Sequence, residues 1–115
     1  MTNPADLATI VGRVDLLLGR AVALTASRWD IPAELIGRAM QLSLAASDDL
    51  PPAERVHLSA DELRMGSAAD YLEAALEALD EIPADERAHH FDLGELRTAV
   101  LDARCALEVI ERQTV

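Results

Sequence analysis

The chain has 115 residues, is half hydrophobic by type and only 3% aromatic, and carries a formal net charge of -11. A chain of this length makes one domain, and apolar mass drawn from Ala and aliphatic residues favours helix over sheet. All ten basic residues are Arg, and the absence of Lys excludes Schiff-base chemistry and a Walker-type phosphate loop.

The acidic balance argues against nucleic acid and against anionic membranes as partners. A single cysteine, Cys105, excludes an internal disulfide and a cysteine zinc site. No apolar run approaches the ~20 residues of a membrane span, and no basic-then-apolar leader opens the chain. A soluble, cytoplasmic, all-α protein is the expectation: an antiparallel four-helix bundle filling residues 1–115 as one domain, with extra short turns in its connections.

The first helix is predicted from Pro4 to about Arg28, with Asn3 as N-cap and Pro4 at the first helical position, where its missing N–H is harmless. Leu7, Ile10/Val11, Val14, Leu17/Leu18, Ala21 and Leu24 form its apolar stripe at three-to-four spacing. Gly12 and Gly19 fall in a heptad with Ala5 and Ala26, a small-residue row that would let another helix approach closely. A helix this long outreaches the one that follows it, and a homodimer is one way to cover the surplus.

Asp30 caps the second helix, with Pro32 in its first turn and Trp29 just ahead, and the Asp48-Asp49-Leu50-Pro51-Pro52 run ends it. The third helix opens on the capping box Ser59-Ala60-Asp61-Glu62, with Leu58 and Leu63 at the staple positions, and extends to Ile82 as one helix or one kinked at Gly66. Its core face is Met65, Ala69, Leu72, Leu76, Leu79 and Ile82. The fourth opens on Asp92-Leu93-Gly94-Glu95 as cap, with Phe91 stapled onto Leu96, and buries Leu93, Leu96, Val100, Ala103, Leu107 and Ile110. A partial stripe of Leu101, Cys105 and Val109 predicts burial on a second side as well. Residues 53–58 and 84–91 are undecided between turn and helix.

The charge is localised. Residues 1–47 hold four acids against four Arg, whereas residues 70–95 hold nine acids against Arg87 alone, 1 − 9 = −8. Asp70, Glu73, Glu77 and Asp80 align at spacings of three and four as one acidic stripe, a pattern that suits a basic partner surface. Trp29, at a helix junction, is the candidate interface anchor. These five residues are the expected partner-binding set of a small accessory or adaptor protein without catalytic residues, cofactor or metal.

The alternative is metal binding. Glu54-x-x-His57 and Glu86-x-x-His89 resemble the ligand motif of ferritin-like di-iron bundles, in which two side chains one turn apart reach a common ion. With both motifs in Pro-flanked connections on either side of the third helix, such a site would have to be built across an oligomer. His89 and His90 with Asp85 and Asp92 form a second, looser cluster.

Overall fold

The structure is a computed structural model and describes residues 3–51 and 56–113. Among them every regular element is helical: α1 (Pro4–Thr25), α2 (Ile31–Asp48), α3 (Ala60–Leu63), α4 (Ala68–Asp80), α5 (Ala84–Ala88) and α6 (Phe91–Gln113).

The helix starts follow local chemistry. Asn3 accepts a hydrogen bond from the Ala5 N–H at 2.9 Å, and Asp30 accepts one from the Ala33 N–H at 3.0 Å. At α3 the capping box closes in both directions: the Ser59 hydroxyl accepts from the Glu62 N–H, and the Glu62 carboxylate accepts from the Ser59 N–H.

The helix expected over residues 59–82 is broken. After Leu63 the chain leaves the helix, and Ser67 takes an extended backbone (φ -135°, ψ 152°) while its hydroxyl accepts from the Asp70 N–H, restarting the chain as α4. Gly66, a poor helix former, sits in the gap. Asp92 is likewise not the cap expected of it. The N–H groups of Leu93 and Gly94 both donate to the His90 carbonyl, so α6 starts earlier and Asp92 lies within its first turn. The Phe91 staple rests on a side chain outside those described, and of residues 53–58 only 56–58 are described, without helix. Residues 84–88 are the short helix α5.

α1, α2, α4 and α6 form a four-helix bundle in which α1 packs on α2 and α4, and α6 packs on those same two helices from the opposite corner. The polar bridges give the directions. Asp15 on α1 meets Ser43 and Ser47 near the end of α2, and Arg97 and Arg104 on α6 meet Asp80 and Glu73 on α4, so both pairs run antiparallel. The connection from α2 to α4 has to return the length of the bundle. Its α3 part lies against α1, held by Arg13 on Glu62 and by Arg20 on the Leu63 carbonyl.

The core comprises Val11, Val14, Leu17 and Leu18 from α1 with Ile36, Leu72, Leu79, Leu96 and Val100, all fully buried. Each such aliphatic side chain contributes on the order of 1.5–3 kcal/mol by leaving water. α4 buries a wider face than its predicted stripe: Tyr71, Ala75 and Ala78 are inside, while Met65, Ala69 and Leu76 are only partly buried.

Two expectations about uncovered surface change. α1 is buried at intervals from Leu7 to Thr25 where α2 and α4 pack on it, whereas Leu24, expected in the same stripe, is 49% exposed. The Leu101–Cys105–Val109 stripe is exposed, because α2 and α4 pack on other sides of α6 and none of the described residues covers this one.

Candidate functional site

Three surfaces hold the residues with functional chemistry. The first is the acidic face of α4. Asp70, Glu73, Glu77 and Asp80 are all exposed, as their helical spacing requires, but they divide into two rows. Glu73 and Asp80 lie toward α6, where Arg104 reaches Glu73 at 3.4 Å and Arg97 reaches Asp80 at 2.9 Å. Arg87 from α5 adds a second cation to Asp80 at 3.0 Å. The hydrogen bond from Arg97, with the charges of Arg97 and Arg87, holds the Asp80 carboxyl below its ordinary value. Asp70, Glu77 and the neighbouring Glu81 have no ion-pair partner among the described residues. Half of the expected docking stripe is therefore neutralised inside the chain by arginines at matching spacing on α6.

The second surface is the corner between α1 and α2. Trp29 is 97% exposed and Ile31 70%, and they flank Asp30, whose carboxylate caps α2 and pairs with Arg28 at 2.6 Å. The cap and the ion pair fix the backbone of this turn. The indole is thus held out from a defined corner.

The third surface is concave. At the end of the bundle where α1 begins and α2 finishes, a cavity of about 570 Å³ is lined by Pro4, Leu7, Asp49, Leu50, Pro51, Asp85, Glu86, His89 and His90. A smaller cavity of about 210 Å³ adjoins it, sharing Asp49, Leu50, His89 and His90 and adding Asp92. His89 Nδ1 donates to the Asp85 carbonyl at 2.6 Å, since a carbonyl only accepts.

Of the expected metal-ligand set, Glu54 lies outside the described residues, His57 is exposed on the connection before α3, and Glu86 and His89 belong to the α5 end. Among the described residues no three His, Cys, Asp or Glu side chains group so as to hold a metal ion. The sequence clusters His89 and His90 with Asp85 and Asp92; it gives no sign that Leu7, Asp49 and Leu50, from 35 or more positions away, complete a cavity around them.

No described helix is long and apolar enough to cross a membrane. No protein-family model matches the chain, and neither a curated protein nor a solved structure matches it.

Proposed function

We propose that this chain is a non-catalytic accessory module that binds a protein partner through the α1–α2 corner, with Trp29 as the anchor. The observation that carries the reading is the exposure of Trp29, 97%, beside Ile31 at 70%, in a chain that encloses its one tyrosine completely. Trp is the residue most enriched at the energetic centres of interfaces, and leaving one in water forgoes a large burial gain. The sequence supplies no nucleophile with a base and an orienting group, which favours binding over catalysis.

The partner presents a basic surface. Asp70, Glu77 and Glu81 carry charge that no ion pair offsets among the described residues, and such a field steers encounter and selects partners more than it adds affinity. A homodimer is the second reading, favoured by a different face: Leu16 on α1 and Leu44 on α2 are 40% and 50% exposed, and a Cβ at Gly19 or Gly37 would meet nothing within 4 Å.

The test places a photo-crosslinking residue at position 31 and identifies adducts in the native host. A protein partner whose adduct disappears with Trp29→Ala, and weakens with Asp70→Arg/Glu77→Arg, supports the reading. Adducts indifferent to Trp29→Ala, in a variant that keeps its helix content, overturn it. Adducts between two copies of the chain favour the homodimer instead.

A further inference from the structure

We propose that the chain assembles end to end, with Trp29 of one copy seated in the cavity at the α1–α2–α5 end of the next. The two features stand at opposite ends of the bundle: Trp29 follows the last turn of α1, whereas the cavity lies beside its first. The 22 residues of α1, at about 1.5 Å each, separate them by about 33 Å. A chain therefore cannot seat its own tryptophan in its own cavity. Contact between unlike patches at opposite ends is heterologous, and it propagates as an open row instead of closing as a two-fold dimer.

Side chain and cavity match in size and chemistry. The volume of about 570 Å³ falls within the roughly 300–1,000 Å³ of pockets that enclose small organic molecules, which admits an indole. Leu7, almost fully buried, and the half-buried Leu50 supply an apolar floor, extended by the rings of Pro4 and Pro51. Trp29 and Ile31, 97% and 70% exposed, bring the apolar surface that would cover it. An indole N–H only donates. The exposed Asp49 and Asp85 carboxylates in the lining supply acceptors, since neither has a hydrogen-bond or ion-pair partner among the described residues.

Charge selects a second copy through these ends. Residues 1–47 are neutral overall, whereas residues 70–95 carry most of the negative charge. Trp29 belongs to the neutral part and stands beside Arg28, whose guanidinium has donors beyond the two that meet Asp30. Against Asp49 and Asp85 of the next copy that arginine meets opposite charge, whereas two copies joined through their α4 faces would press acid on acid. A row leaves one Trp29 corner free at its end, so a different partner still finds the anchor, and neither proposal depends on the other.

The test mixes two half-blocked variants of the full chain. Trp29→Ala keeps the cavity and loses the side chain that fills it, and Leu50→Glu keeps Trp29 and puts a carboxylate into the apolar floor. Sedimentation from micromolar to millimolar protein should show the wild type growing past two copies while its tryptophan emission shifts to the blue. Each variant alone should associate at least about tenfold more weakly, as loss of an interface anchor requires. Their equimolar mixture should form pairs and stop at two. Pro51→Glu, at an exposed position of the lining, takes the place of Leu50→Glu if that variant loses helix content. A wild type that stays monomeric or stops at two copies, growth undiminished by Trp29→Ala, or a mixture that does not pair overturns the proposal.

Discussion

Arg97 on α6 reaches the carboxylate of Asp80 on α4 at 2.9 Å, and one heptad further along the same helix Arg104 repeats the reach to Glu73. Because α4 and α6 run antiparallel, acids seven apart on one helix meet arginines seven apart on the other. The charge that makes α4 repel itself is thus partly cancelled by its neighbour. Arg87 joins at Asp80 from α5, so this single carboxylate ties three elements together.

Asp80→Asn is expected to destabilise the fold by about 1 kcal/mol at neutral pH, because exposed pairs contribute little individually while Arg87 is only 16% exposed and loses its acceptor. The pH dependence has a definite sign. The folded-state pKa of Asp80 is held below the ordinary 3.8, first by Arg97. The stabilisation is accordingly complete above the unfolded value and disappears as pH falls through the folded one. Urea titrations at neutral pH and near pH 3 check this: the gap between wild type and variant should narrow at the lower pH.

Glu62 behaves similarly at a different place. Burial alone would raise its pKa, but the Ser59 N–H and hydroxyl and the Arg13 guanidinium outweigh it, and the net shift is downward from 4.5. Glu62→Gln is expected to loosen the connection along α1 before it unfolds the bundle, since α3 has only four residues and packs through this carboxylate. Amide exchange at Leu63, Arg64 and Met65, whose N–H groups bond within this segment, should accelerate at neutral pH while the core of α6 keeps its protection. Uniform acceleration across both would show that the connection and the bundle open as one unit.

The capping residues separate in the same way. Ser67→Ala removes a side-chain acceptor from α4 and should cost about 1 kcal/mol, because its hydroxyl takes the Asp70 N–H at 3.2 Å. Asp92→Ala only removes a negative charge from the first turn of α6, an effect of about 0.3–1 kcal/mol that added salt weakens. Chemical denaturation of both variants at low and high ionic strength distinguishes them: the Ser67 effect persists in salt and the Asp92 effect shrinks.

These two residues mark where local pattern stops being informative. The apolar periodicities of α1 and α6 and the caps at Asn3, Asp30 and Ser59 were legible because each depends on residues within one or two turns. The break at 64–67 was half legible: Gly66 marked a kink, but Met65 and Ala69 keep the apolar rhythm of an unbroken helix, and the serine that restarts the chain reads equally as a helix-interior residue. Trp29 could be nominated from its place at a helix junction, but its exposure is a tertiary outcome. The same holds for the division of the acidic stripe, which depends on where α6 sets Arg97 and Arg104. The cavity was least legible of all, since Leu7, Leu50 and His89 meet only when three helix ends converge.

Trp29 is the chain's one tryptophan, so intrinsic fluorescence reports on this corner alone. In the dilute protein its emission should be that of a solvated indole, with free access to acrylamide, as 97% exposure requires. Trp29→Ala should change folding stability by no more than about 0.5 kcal/mol, as for other surface positions away from packing features. A blue-shifted emission at low concentration would mean that the indole is covered and would remove the anchor from the proposed interface.

Gly19 gives the sharpest division between an open face and a self-association face. An added Cβ there meets nothing within 4 Å in the single chain, and α1 is helical on both sides of it. Gly19→Ala should then stabilise the protein by about 0.5–1 kcal/mol through helix propensity and reduced unfolded-state freedom. Gly37→Ala on α2 should do the same, again with open space around the new methyl group. If two copies instead pair with a helix drawn closely over this seam, the methyl groups intrude on the contact. Denaturation midpoints measured across a hundredfold range of protein concentration separate the cases. Concentration-independent stabilisation in both variants leaves the face open, whereas a wild-type midpoint that rises with concentration, and stops rising in Gly19→Ala, assigns the glycine seam to a dimer.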